Sequence, residues 1–127
     1  MPDDLSPLSA AVALFQSGDL AAAEKSCRDL LAREEGNAEA WHLLGVIAHR
    51  AGRNDIAIRH VRQAVALAGD SASYHNTLGY LLRLAGQYSE AVTALEKAIA
   101  LQPDYADAHN NLGIAHAESG ALEAAEK

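Results

Sequence analysis

The sequence predicts an all-α solenoid, a helix-turn-helix unit repeated every 34 residues and stacked on itself. Three observations predict it. Apolar residues recur at helical spacing, as in Leu78, Leu81, Leu82 and Ala85, then Ala91, Leu95, Ala98 and Ile99. Glycine interrupts the runs at one phase of the period: Gly18, Gly52, Gly86 and Gly120. Small or apolar residues hold three more columns: Ala11, Gly45, Gly79 and Gly113; Ala23, Ala57, Ala91 and Ala125; Leu30, Ala64 and Ala98. One hairpin of this kind cannot bury its own apolar face, so neighbouring repeats must cover it. The repeats span 4–37, 38–71, 72–105 and a partial 106–127, about three and a half in one array over 1–127.

Residues 1–5 read as a disordered lead. Ser6-Pro7 is a helix start, with serine as N-cap and proline where its missing N–H costs nothing. The first helix carries Leu8, Ala11, Val12, Leu14 and Phe15 to about Ser17, and Gly18-Asp19 is a turn. Its partner runs from about Leu20 to Arg33 with Ala23, Cys27, Leu30 and Leu31 inward. Gly36-Asn37 ends the repeat, and Asn37 caps the next helix. The second repeat opens at Ala38 and turns Trp41, Leu44, Gly45 and Ala48 inward. Gly52 is its turn, and a helix from about Asp55 to Leu67 buries Ala57, Val61, Ala64 and Leu67. Gly69-Asp70-Ser71 breaks the chain. The third repeat, Ala72–Tyr105, meets nearly every column and closes at Pro103. The fourth turns His109, Leu112, Gly113 and His116 inward, turns at Gly120 and begins a second helix at Ala121.

The columns have physical reasons. A mid-helix glycine costs up to ~1 kcal/mol in propensity, so its recurrence at the eighth position implies close packing. The eighth and twentieth positions face each other where the two helices of a hairpin cross. A larger side chain there would overpack the crossing by ~1–3 kcal/mol. The fifteenth position ends a helix with a residue able to take positive φ.

Half the residues are apolar, yet only 5% are aromatic, so the core must come from close helix packing. The net charge of −7 argues against nucleic acid or an anionic membrane surface as the main partner. A local exception is the basic group Arg50, Arg53, Arg59 and Arg62, opposed nearby only by Asp55; it reads as a solvated patch on helix exteriors. Cys27 is the single cysteine and lies in an apolar stripe, which fits a small buried residue in a reducing compartment. MPDDLSP lacks the apolar stretch of a signal peptide, and no apolar run approaches the ~20 residues of a membrane span. A cytoplasmic location is expected.

The period and the pattern Trp41-x2-Leu44-Gly45, Ala57, Val61, with Leu78-Gly79, Ala91, Leu95 and Pro103, resemble the tetratricopeptide repeat over residues 4–127. The resemblance implies a right-handed superhelix whose concave groove is lined by the first helix of each repeat. The chain departs from the family pattern in places. Pro7, His75 and His109 take the tryptophan position, and Leu14, Ala48, Leu82 and His116 take the usual aromatic at position eleven, which implies a lean core.

Helical geometry sets a second stripe beside the buried one on these first helices. It holds Leu8, Val12, Phe15 and Gln16; His42, Val46, His49 and Arg50; Asn76, Thr77, Tyr80 and Arg83; Asn110, Asn111, Ile114 and Glu118. The candidate peptide-binding residues are His42, His49, Asn76, Thr77, Tyr80, Arg83, Asn110 and Asn111. Amide, aromatic and guanidinium groups suit an extended peptide or a partner helix. Modules that clamp chaperone-tail carboxylates need Lys, Asn and Arg where this chain has Leu8, Val12, Leu43, Ser73 and Thr77, so that mode is not expected. Asp107-Ala108-His109-Asn110-Asn111-Leu112-Gly113 resembles one rung of the asparagine ladder in O-linked N-acetylglucosamine transferase arrays.

No cofactor, metal or catalytic residue is expected. His42 and His49 are seven residues apart, as are His109 and His116, hence ~10 Å along a helix and too far to share one ion. No phosphate-cradling loop, Ser/His/Asp grouping or close carboxylate pair is present. The expected role is a protein-interaction scaffold for a protein or peptide partner. The alternatives are the substrate-recruiting region of a larger transferase and an oligomerisation module. Lys127 falls in the first turns of a second helix, so the chain reads as the N-terminal part of a longer protein. Its uncapped end is expected to fray or to self-associate.

Overall fold

The structure, a computed structural model, describes residues 6–126, with side chains to residue 123. The lead over residues 1–5, Lys127 and the side chain of Ala125 lie outside the described residues. Seven helices and no strand occur among the described residues. They are α1 (Pro7–Gln16), α2 (Leu20–Arg33), α3 (Ala38–Arg50), α4 (Asn54–Leu67), α5 (Ala72–Leu84), α6 (Tyr88–Leu101) and α7 (Ala106–Glu126). They fall into two compact bodies, residues 1–68 with α1–α4 and residues 69–127 with α5–α7.

Short side chains at the breaks start the helices. Ser6, Asp19, Asn37 and Ser71 each accept a hydrogen bond from the backbone N–H three residues on, at 3.0–3.2 Å. Each satisfies one of the donors a helix N-terminus leaves orphaned. The turns inside the hairpins are built alike. Gly52 and Gly86 take φ of +83° and +77°, a region open to glycine at no steric cost. The next N–H then folds back: Arg53 donates to the Ala48 carbonyl at 2.8 Å and Gln87 to the Leu82 carbonyl at 2.9 Å. That is the Schellman closure of a helix C-terminus.

In the N-terminal body, Ala11, Ala23, Cys27, Leu44 and Ile47 form a buried cluster, with Leu14, Phe15, Leu20, Leu31, Trp41 and Leu43 packed on it. Burial pushes the Cys27 thiol up to about 11, with Arg28 lowering and Glu24 raising it by smaller amounts. The α3–α4 crossing depends on Gly45. A Cβ there would strike Val61 Cγ2 and lie 3.1 Å from the Ala57 carbonyl oxygen. Gly79 repeats the arrangement in the C-terminal body, 3.2 Å from the Ala91 carbonyl oxygen and against Leu95. The eighth and twentieth positions therefore meet at both crossings.

The tryptophan position is held by one hydrogen bond. Trp41 Nε1 donates to the Glu35 carbonyl at 2.9 Å, and His75 Nε2 lies 2.9 Å from the Gly69 carbonyl oxygen. His109 Nε2 lies 2.7 Å from that of Pro103. A carbonyl only accepts, so these imidazoles carry their hydrogen on Nε2. Histidine thus replaces tryptophan here by offering a ring N–H to a carbonyl six residues back.

Three expectations fail. Gly120 makes no turn: α7 runs on to Glu126, and positive-φ glycines occur only at positions 18, 52 and 86 among the described residues. His109, Gly113 and His116 are exposed, whereas Ala108 and Ala115, a different stripe of α7, are fully buried. Both corrections have one cause. Among the described residues α7 packs against α5 and α6, so it buries the stripe that meets those two helices. Leu67 is 43% exposed rather than buried. The inward stripe of α4 passes through Ala57, Val61 and Ala64 to Ala68, and Leu67 stands off it.

Candidate functional site

The predicted residues divide between the two bodies. In the N-terminal body, α3 carries His42 and His49. His42 is half-buried, and desolvation holds its imidazole below the ordinary value of 6.5. His49 Nδ1 lies 3.4 Å from Asn54 Oδ1, so its ring leans toward the α3–α4 turn. The structure does not gather the two rings into one group. It does bring Arg50 onto Phe15, with the guanidinium carbon 4.7 Å from the ring centroid. This cation–π contact joins α3 to α1.

The C-terminal body holds the more connected set. Asn111 Nδ2 on α7 donates to Asn76 Oδ1 on α5 at 3.0 Å. Asn76 Nδ2 in turn donates to the Tyr105 hydroxyl at 3.4 Å, just before α7. One carboxamide thus acts as acceptor and donor and orients its neighbours. One turn further along α5, Tyr80 lies under Arg83, whose guanidinium carbon is 5.4 Å from the ring centroid. Arg83 Nη1 donates to Glu118 Oε1 on α7 at 3.2 Å. The Arg83 side chain is only 11% exposed, and its Nε is buried without a hydrogen-bond partner. An unsatisfied buried donor of this kind costs stability.

Thr77 Oγ1 donates to the Ser73 carbonyl at 3.0 Å, on its own helix. Asn110 is exposed and joins none of these contacts. Sequence reasoning missed Tyr105. Its signal is faint, because it sits at the last position of a repeat, 29 residues from Asn76, and a helical stripe does not include it. Glu118 was on the stripe but not among the candidates.

The network leaves groups to spare. Asn111 keeps its carbonyl oxygen and one N–H, and the Tyr105 hydroxyl keeps its proton. An amide offering one donor and one acceptor matches the two polar groups of a peptide unit. Among the described residues, no group of three or more His, Cys, Asp or Glu could hold a metal ion, and no helix is long and apolar enough to cross a membrane.

The paired helices, the glycine crossings and the repeated ring-to-carbonyl bond define a helical-repeat protein. Tetratricopeptide-repeat models match residues 14–79 and, as a second TPR repeat description, residues 79–120. The chain belongs to the tetratricopeptide-repeat family, and its fold is an all-α repeat solenoid. It is 37% identical to a solved mutant O-GlcNAc transferase from Thermobaculum terrenum, with TM-score 0.79, over 91% of this chain and 23% of that one. A solved MamA is 28% identical with TM-score 0.81, over 87% of this chain and 64% of that one. The first TPR of Spaghetti (RPAP3), solved bound to an HSP90 peptide, shares the fold alone, at 19% identity and TM-score 0.84 over 92% of this chain and 90% of that one. The chain thus spans less than two thirds of the transferase and of MamA. No match was found among curated proteins.

Proposed function

We propose that the chain is a non-catalytic scaffold that holds a peptide or partner helix along the first helices of its repeats, arranged as one array. The observation that carries this reading is the Asn111–Asn76–Tyr105 chain. It spends part of its hydrogen-bonding capacity internally, which fixes the amides, and keeps the rest for a backbone. Binding through the main chain tolerates many side chains, so affinity would come from pre-oriented amides and specificity from neighbours in the same body such as Tyr80 and Arg83. The −7 charge supports a protein rather than a nucleic acid or membrane partner. A cytoplasmic setting suits the single buried thiol.

The test is selection from a phage-displayed random peptide library, followed by anisotropy titration of an enriched peptide. Asn76→Ala with Asn111→Ala is expected to weaken that peptide about tenfold, the scale of losing one or two net hydrogen bonds, with little change in melting temperature. Unchanged affinity in the folded double variant would move the site elsewhere.

A second reading is the substrate-recruiting region of a larger transferase. The 37% identity to the Thermobaculum transferase over 91% of this chain favours it. Reading the gene past Lys127 discriminates: a nucleotide-sugar domain supports this reading, and a stop or further repeats removes it.

A further inference from the structure

The N-terminal body contains a cavity of about 230 Å³ between α2, α3 and α4, whereas the amide network belongs to the other body. Its floor is the buried Leu44, Ile47 and Ala48, and Leu20 and Ile56 wall it. Ala48 explains the space. It stands at position eleven, where the first and third repeats carry Leu14 and Leu82, and alanine has three fewer carbons. The rim is polar, with Glu24, Arg28, Arg53 and His60. Glu24 is matched by Arg28, whose Nη2 lies 3.0 Å from Oε2. With two arginines against one glutamate, the lining keeps a positive charge in a chain of net charge −7. The His60 imidazole reports the same field. After burial, Arg28 and Arg59 are what hold it below its ordinary value, more than Glu24 raises it. An apolar floor of one side chain's size under a cationic rim selects for an apolar group beside an anion.

We propose that this cavity is a socket for one large apolar side chain, aromatic or leucine, of an acidic peptide segment whose carboxylate meets Arg53 at the rim. A dry cavity of about 150 Å³ accepts benzene, so this one has room for an indole. The basic group that reads from the sequence as a solvated patch would then have a task, since Arg53 belongs to both. The socket and the amide network lie in different bodies, so one can fail without the other.

The test uses the whole chain and three probes of known structure: indole-3-propionate, tryptamine and propionate. Amide chemical shifts are followed by NMR during titration. Indole-3-propionate should give saturable shifts at Leu20, Ala48 and Ile56, and propionate none. Tryptamine should bind about fivefold more weakly, the scale of one solvent-exposed charge contact. Arg53→Glu should abolish the preference for the anion. Ala48→Phe should fill the floor and lose the shifts while holding or raising the melting temperature. Absence of saturable shifts with indole-3-propionate overturns the proposal. So does equal binding of the two indoles, or retained binding in a folded Ala48→Phe variant. If Ala48→Phe does not fold, the Arg53→Glu preference decides.

Discussion

Gly45 and Gly79 are the residues on which each hairpin turns. The space a Cβ would need at Gly79 is taken by Leu95, with Cδ2 at 2.6 Å, and by the Ala91 carbonyl oxygen. Gly79→Leu is therefore expected to cost about 3 kcal/mol or more, read from the urea midpoint, because a packed crossing must spread. Gly113 is a contrast in the same column, with nothing within 4 Å of a built Cβ. There Gly113→Ala is expected to stabilise by ~0.5–1 kcal/mol, the ordinary helical preference for alanine. Identical sequence positions thus predict opposite signs, and the urea midpoints of the two variants decide. Cys27 belongs to this scale too. Its thiol is buried and pushed up to about 11, so a thiol reagent at pH 8 should label the native chain far more slowly than the urea-unfolded one. Rapid native labelling would mean that α2 opens locally.

Among the elements, α7 departs furthest from its repeat. In the first three repeats, glycine at position fifteen leaves the helix because the segment beyond it packs back on the crossing. In the fourth, the described residues beyond Gly120 do not pack back on a crossing but extend α7 to Glu126. Continuing a helix already nucleated adds a hydrogen bond per residue, and starting a new one does not. Gly120→Ala is accordingly expected to raise the melting temperature, by ~0.5–1 kcal/mol of stability, with helical Cα shifts through residues 117–123. The same change at Gly86, with φ of +77°, should lower it by ~1–2 kcal/mol. A destabilised Gly120→Ala would restore the turn that the period predicts.

Over the whole molecule, the histidines tie stability to pH. His42 is held below 6.5 by burial, and His60 by burial and then by Arg28 and Arg59. The unfolded chain therefore takes up these protons more readily than the folded one. Their contribution is complete above about pH 6.5 and is lost as the pH falls toward the folded values. Thermal melts between pH 7.5 and 5.5 should show a falling midpoint, and His42→Gln with His60→Gln should flatten the slope over that range. An unchanged slope would mean that neither ring is desolvated in solution.

The first six helices, the caps at Ser6 and Asn37, the turns at Gly18, Gly52 and Gly86 and the two glycine crossings were legible in the residues because each is decided within one hairpin or at its edge. Asn37 caps its own helix, Gly52 closes its own turn, and Gly45 meets Val61 only sixteen residues away. The sequence by itself therefore determined an all-α repeat and the places where its helices cross. The tertiary structure decided which stripe of α7 is covered, because burial needs a partner helix and the period continues whether or not one is there. It also decided that Asn76, Tyr105 and Asn111 form one hydrogen-bonded chain across separations of 29 and 35 residues. A column of aligned positions lists residues of like phase. It holds no information on which polar groups from different phases come within 3.4 Å, because that depends on how far each helix is translated and rotated against its neighbour.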